Sequence, residues 1–368
     1  MECGTMIKRA VNKLIKLIMV KRGYSPYFAL SAFRLHWEDF SKNPTTTWRQ
    51  KIWAQRRGFH SSKIAVYGLT EENWRDYVSD FDYLKMHPIN GSYTHWIDDK
   101  LIIRYLLAPF KDYLPDYYCQ ISGGKVMALP DAPPGFTSDI TGILTLLKEV
   151  GNLAVKPAMG TKGEGFYKFS FDGRKYFINY IEKQPEEIHQ LLQQLRGYIV
   201  TEYLPAHSSL GRIYPRAANS VRVHVINENG TEPLAVCAYI KFGTSASGVV
   251  DNTSAGGVMA EVDMASGRFF NGLVYGDLYT ESCPCHPDTG EEMTGTLPHW
   301  DLVKGQLLAI SRYLPQLTFL GYDIIITEDG FRIIEINSHP GIGNQCYQPF
   351  LKDNPAADFF RKLLEKIS

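Results

Sequence analysis

The chain has 368 residues, 44% hydrophobic and 21% charged, with 39 basic residues balanced by 39 acidic ones. That length allows two or three domains, and the charge balance leaves no global field that would draw the chain to nucleic acid. Six cysteines in so long a chain make no secreted disulfide framework; Cys283-Pro-Cys285-His286 lacks a second ligand pair at zinc spacing, so a turn with reduced thiols is expected.

Residues 1–97 read as a mostly helical region, with Trp37, Trp48, Trp53 and Trp74 spread among basic residues. Ile7, Val11, Leu14, Ile15 and Ile18 form a helical stripe, and Lys8, Arg9, Lys13, Lys16, Lys21 and Arg22 add positive charge. The stretch is too charged for a signal peptide, and no apolar run reaches the ~18–20 residues of a membrane span. A helix packed on the domain and a helix lying on an anionic membrane both fit it; a cytoplasmic protein is expected.

From Asp98 a helix begins: Asp98-Asp99 favour its first turn, Leu101, Ile102, Tyr105 and Leu106 give it an apolar face, and it stops near Pro109. Residues 120–195 alternate short strands and helices, among them "GNLAVKPAMG" and "EEIHQLLQQL". In the first of these, an apolar strand ends at Lys156-Pro157 and runs into a loop with Gly160, Gly163 and Gly165. Glycine backbone can approach a phosphate closely and a lysine supplies point charge, although a hairpin tip would look the same. No GxxxxGK[ST] and no GxGxxG opening a helix occurs.

Strands resume at "YIVTEYL" (198–204), where Glu202 sits at a strand end that fits an adenine edge and a ribose or is a strand end and nothing more. In "SVRVHVI" (220–226) Arg222 points away from its flanking valines and fits either a clamp for phosphate or carboxylate or a surface position on an edge strand. "LAVCAYIKFG" (234–243) follows, then the Gly/Ser-rich "GTSASGVVDNTSAGG". In it Asn252, Thr253 and Ser254 offer hydrogen bonds and Gly256-Gly257 permit close approach, as a substrate loop or as a flexible linker.

"GYDIIITEDGFRIIEIN" reads as two strands around a tight turn. With a Glu328-Asp329-Gly330 loop, Thr327 pairs with Phe331, Ile325 with Ile333 and Asp323 with Glu335, so Asp323, Glu335 and Asn337 share one face and one end. Facing carboxylates repel, and a bound cation would relieve them; two carboxylates and an amide oxygen are hard ligands suited to Mg²⁺. A two-residue turn would shift the register and part the carboxylates, and a solvated strand end would need no metal. Strands in blocks with helices between them predict an α+β fold.

Taken in order, these pieces resemble the ATP-grasp superfamily of carboxylate–amine ligases from about Asp98 to Gly341. The nearest resemblance is to the sugar-transfer-associated ATP-grasp family, through "VDNTSAGG" (250–257) preceding the "GYDI…EIN" hairpin. The resemblance implies two α+β subdomains clasping ATP, 98–197 with the Gly-rich loop and 198–368 with the Mg²⁺-binding hairpin, after the helical residues 1–97. It places Lys100, Lys156, Gly160, Thr161, Lys162 and Gly163 at the ATP phosphates, and Glu202, Tyr203 and Leu204 at the adenine and ribose. It implies Asp323, Glu335 and Asn337 as metal ligands, and Arg222 and Lys241 as charges on the transferring phosphoryl group. Such proteins often carry an arginine just before the hairpin acid; here Gly321-Tyr322 stands there, which leaves that task to Arg222. Asp251, Asn252, Gly256, Gly257 and His339 are the candidate substrate contacts. The implied reaction joins a small carboxylic acid to an amine through an acylphosphate; phosphoryl transfer without ligation, or nucleotide binding in the service of a sugar-transfer assembly, are the alternatives.

Overall fold

Two antiparallel sheets carry the fold, and the order of their strands brings together residues far apart in sequence. The computed structural model describes residues 2–160 and 163–367. The first sheet is built from β1 (Tyr117–Ser122), β2 (Lys125–Ala128), β3 (Asn152–Pro157), β4 (Tyr167–Phe171), β5 (Tyr176–Ile178), β6 (Ile181–Lys183) and β7 (Arg196–Glu202). Its spatial order is β2-β1-β7-β3-β4-β5-β6. The second sheet contains β8 (Val221–Ile226), β9 (Leu234–Phe242), β10 (Val258–Val262), β11 (Arg268–Tyr275), β12 (Thr280–Ser282), β13 (Gly295–Thr296), β14 (Phe319–Thr327) and β15 (Gly330–Asn337). These run β12-β11-β10-β9-β8-β14-β15, with β13 paired to β11.

Helices α1 (Glu2–Lys21), α2 (Ala29–Lys42), α3 (Trp48–Gln55), α4 (Lys63–Val66) and α5 (Asp80–Lys85) precede the sheets, followed by α6 (Lys100–Leu106), α7 (Ile140–Val150), α8 (Pro185–Gln194), α9 (Ser208–Gly211), α10 (Trp300–Tyr313) and α11 (Ala357–Ile367). Local chemistry sets several of their ends. The Asp99 carboxylate caps α6 by accepting from the Leu101 N–H at 2.8 Å, and Asp139 caps α7 by accepting from the Gly142 N–H at 2.7 Å. Pro185 opens α8, and the Glu187 carboxylate accepts from the Gln184 N–H at 2.8 Å.

Two cores follow. Ile143, Leu146, Leu147, Ile188 and Leu192 of α7 and α8 press on Cys119, Ile121, Leu153, Val155 and Phe169 of the first sheet. Val303, Leu307 and Ile310 of α10 cover one face of the second sheet, meeting Val221, Val223, Ile240, Tyr322 and Ile324. Each fully buried aliphatic chain stabilises by about 1.5–3 kcal/mol relative to exposure. The opposite face carries Arg222, Lys241 and Asp323, with Phe319 at one end packed against Phe350 and Phe360.

The expected subdomain boundaries do not follow the sheets. Ile97, Ile103, Leu107 and Leu114 join the core of the second sheet, while Leu101 packs with Tyr117 and Ile199 of the first, so α6 bridges the two bodies. The 197/198 boundary falls inside β7, which pairs with β1 on one side and β3 on the other and completes the first sheet. The helical N-terminal region does not stand apart either. Val78, Tyr83 and Met86 pack with Phe319, Phe350 and Phe360. The buried Asn90 amide accepts from the N–H groups of Thr318 (2.7 Å) and Phe319 (3.1 Å) and donates to the carbonyls of Phe319 and Ser338 (2.9 Å each). Gln345 exchanges two hydrogen bonds with the backbone of Val78, at 2.9 and 3.1 Å.

The β14–β15 hairpin departs from expectation near its tip. Thr327 pairs with Gly330 around a two-residue Glu328-Asp329 turn, followed by Ile326 with Phe331, Ile325 with Arg332 and Ile324 with Ile333. The Thr327–Phe331 and Ile325–Ile333 pairs read from the sequence are therefore one residue off. A bulge at Ile334 then inserts one unpaired residue, and Asp323 ends up opposite Glu335 after all. Gly330 closes the turn at φ +149°, where a side chain is rarely tolerated.

Candidate active site

Asp323 lies on β14 with Arg222 of β8 as its neighbour on one side and Glu335 of β15 on the other. β8 is an interior strand, which removes the surface-edge alternative for Arg222. Arg222 grips Asp323 bidentately, Nε donating to Oδ1 at 2.8 Å and Nη2 to Oδ2 at 2.6 Å. Lys241 Nζ, from β9, donates to Oδ1 at 3.1 Å, and Asn337 Nδ2 donates to Oδ2 and to the Gly321 carbonyl, each at 3.3 Å. Burial pushes the Asp323 carboxyl up, but the charges and hydrogen bonds of Arg222 and Lys241 outweigh it and hold the group well below the usual carboxylate range. Lys241 is likewise kept above its ordinary value, burial opposing and Asp323 and Asp251 prevailing. A Cβ at Gly321 would lie 2.4 Å from Pro340 Cβ and 3.3 Å from Arg222 Cδ. Position 321 thus has no room for a side chain, because Pro340 fills the space, with the Arg222 side chain alongside.

The first sheet and α6 bring the remaining charges. Lys100, the first residue of α6, is anchored by its own N–H to the Ala158 carbonyl at 2.9 Å. Its Nζ donates to the Gly160 carbonyl at 2.9 Å and to Glu335 Oε1 at 3.2 Å, tying the start of the glycine loop to the hairpin. Lys156, on β3, is 9% exposed, and its Nζ has no hydrogen-bond or ion-pair partner among the described residues. Burial and the neighbouring Lys100 push its ammonium down to about 8, Glu335 pulling the other way. A buried ammonium without a partner is costly, and an incoming anion would relieve it.

These side chains fall between Lys100 and Asn337, and the model of the family described as "Sugar-transfer associated ATP-grasp" matches residues 84–354. The chain belongs to this ATP-grasp family. Solved structures with a similar fold include the D-alanine–D-alanine ligase from Coxiella burnetii (11% identity, 73% of this chain and 57% of that one, TM-score 0.38). Others are the N5-carboxyaminoimidazole ribonucleotide synthetase from Thermotoga maritima (11%, 74% and 50%, 0.38) and the L-amino acid ligase from Bacillus licheniformis (11%, 74% and 48%, 0.39). The chain spans about half the length of these structures. No curated protein matches it.

Other expected residues of the ATP-grasp site are placed as follows. Glu202 ends β7; its N–H donates to the Asp116 carbonyl at 2.8 Å, and burial pushes its carboxyl up. Tyr203 lies under Lys168 Nζ, 4.3 Å from the ring centroid, and Leu204 is buried. Thr161 and Lys162 lie outside the described residues. Gly163, at φ +69°, packs so tightly that a Cβ would sit 3.0 Å from Val250 Cγ1, so the glycine loop meets the 250–257 segment there. Asp251 Oδ2 accepts from the Ser220 N–H at 2.5 Å, and Asn252 Oδ1 accepts from the Ser254 N–H at 3.1 Å. The loop's own fold accounts for Gly256, at φ +100°, and for Gly257, where a Cβ would lie 2.5 Å from the Asp251 carbonyl. His339 is turned into an aromatic cluster with Tyr83 (4.1 Å between ring centroids), Phe28 (5.1 Å) and His87 (5.3 Å). Both ring nitrogens are buried without partners, and burial pushes the imidazole down to about 3, so it is uncharged at neutral pH.

Two residues of this neighbourhood escaped the sequence reading. Tyr239 faces Arg222 across β8 and β9, and burial pushes its phenol up. The alternation Cys237, Tyr239, Lys241 along β9 would have found it. Lys168 donates to Tyr180 Oη at 3.1 Å beside the Tyr203 ring, a contact that no local pattern announces.

ATP-grasp folds imply Mg²⁺, and the donor set fits it. The Glu335 side chain is 24% exposed and, among the described residues, accepts a hydrogen bond from Lys100 alone, which leaves it open to a cation. Asn337 commits its Nδ2 and leaves its oxygen as the donor for a metal. Asp323 is shared with two cations already, so it can join such a set only while also holding Arg222 and Lys241.

Proposed function

We propose that the chain is an ATP-dependent carboxylate–amine ligase that activates a small carboxylic acid as an acylphosphate and passes it to an amine. The observation that carries this reading is the buried Lys156, its ammonium without a partner among the described residues, beside Lys100 and Glu335, the latter paired with Asp323. Lys100, Lys156, Arg222 and Lys241 outnumber Asp251, Asp323 and Glu335, so the cluster is short of negative charge and suits a polyphosphate. In this reading Lys156 and Lys100 neutralise the phosphates and the glycine loop covers them. Glu202, Tyr203 and Leu204 hold the base and ribose from the strand end. Glu335 and Asn337, with Asp323, would hold Mg²⁺, whose charge screens the phosphate oxygens. Arg222 stays rigid because Asp323 fixes its guanidinium in two places, and it faces the charge that builds up as the phosphoryl group moves to the carboxylate. Substrate activation then rests on positioning and charge.

The test is an ADP-release screen over amino acids and amino sugars with Mg²⁺, scored for amide formation by mass spectrometry. An acid–amine pair that yields both ADP and amide is the expected result, and Glu335→Gln should stay folded and lose ADP release. A phosphorylated product with no amide would replace ligation by phosphoryl transfer. ATP bound without turnover across the screen would leave the chain a nucleotide-binding partner.

A further inference from the structure

Helix α1 buries one side and leaves its larger apolar stripe in water. Met19 is buried and Ile15 half-buried in a small cluster with Ala29, Ala32 and Phe81. Val11, Leu14, Leu17 and Ile18 remain 49%, 59%, 55% and 44% exposed, Leu14 and Leu17 on the side turned away from Met19. Lys8, Arg9, Lys13, Lys16, Lys21 and Arg22 surround that stripe, with no acidic residue between positions 8 and 22 and no ion pair to any of them among the described residues. Trp37 and Trp48, on the next two helices, are exposed as well, and indoles favour a membrane–water interface. No described helix is long and apolar enough to cross a membrane.

We propose that α1 docks the chain on the surface of a bilayer containing anionic lipid, its apolar stripe entering the acyl boundary and its cations facing the headgroups. The charge selects this occupant over a second copy of the chain. Two α1 helices packed stripe to stripe would bring two sets of six like charges together, whereas phosphatidylserine headgroups supply the missing counter-charge. The site described above plays no part in this contact, so docking stands or falls independently of the ligase reading.

Co-sedimentation of the full chain with phosphatidylcholine vesicles, with and without phosphatidylserine, tests it. Wild type should partition onto the phosphatidylserine vesicles and be released when salt rises from ~0.1 to ~1 M, as the screening length falls from about 10 to about 3 Å. Each lysine near a charged surface contributes roughly fivefold, so Lys13→Glu with Lys16→Glu should weaken partitioning by about 25-fold or more. Leu14→Ser with Leu17→Ser should cost about tenfold per leucine. Unchanged thermal melting would show that both variants remain folded. Equal partitioning onto neutral vesicles, or none onto anionic ones, overturns the proposal. So does a lipid-indifferent wild-type dimer that the leucine pair dissociates, which would make a second copy the occupant.

Discussion

Replacing Lys156 by methionine separates the phosphate reading from a purely structural one, because the two predict opposite signs. The ammonium is held at about 8 rather than at the ordinary lysine value of 10.5. At 1.36 kcal/mol per unit that difference disfavours the charged form in the folded protein by about 3 kcal/mol. The folded value lies below the unfolded one, so the unfolded chain binds more protons between pH 8 and 10.5 and stability rises with pH across that window. Below pH 8 the penalty is fully present. Lys156→Met removes the charge and keeps the length, so near pH 7 it should stabilise the protein by up to about 3 kcal/mol. The advantage should shrink as pH climbs from 8 towards 10.5. The same substitution should weaken ATP binding by roughly 10- to 100-fold, the value of a hydrogen bond to a charged group. Urea unfolding near pH 7 and near pH 10 reads the first effect, and titration calorimetry the second. Near pH 8 the wild type should also take up protons on binding ATP, measured in buffers of different ionisation enthalpy, and the variant should take up fewer. A variant less stable than wild type at pH 7, or one that binds ATP normally, would refute the reasoning.

Arg222→Met should leave Asp323 with one cation and cost about 3–5 kcal/mol in urea unfolding, as expected for breaking a buried pair. Arg222→Lys keeps the charge but not the two-point grip, and turnover in the ADP-release assay should fall by about 10²-fold or more with the fold intact. Asn90→Ala should strip partners from the backbone at Thr318, Phe319 and Ser338, lowering stability by roughly 2–3 kcal/mol. Hydrogen exchange should speed up first at those residues, and unchanged protection there would show that Asn90 is not what holds the hairpin to the helical region.

How much of this was legible in the sequence depended on whether a residue's partner was near in sequence or far. Asp99, Asp139 and Pro185 announce their helices because a cap acts within three residues. Asp323 and Glu335 were legible as facing acids because both belong to one hairpin. The route to that pairing was not legible. Ile333 and Ile334 are equally apolar, so alternation could not say which one faces the core and which one bulges. Arg222 reads as a polar residue in an apolar strand; that β8 sits beside β14, with Asp323 a hundred positions later, is a fact of topology. His339 was misleading for the same reason. It follows Asn337 by two residues, yet Phe28, Tyr83 and His87 draw it into another cluster. Asn90 looks like a turn residue, and only the folded chain shows it stitching three backbone segments.

The bulge at Ile334 divides the hairpin into two parts that need not change together. Beyond it lie the tip and the Thr327–Gly330 closure; before it lie Asp323, Glu335 and Asn337. An insertion or deletion at the tip shifts the pairing of the outer residues, and the bulge can take up the odd residue before the shift reaches the acids. The outer hairpin is therefore a place where length can drift between relatives, or be redesigned to carry a new contact, while the spacing of the inner acids is kept.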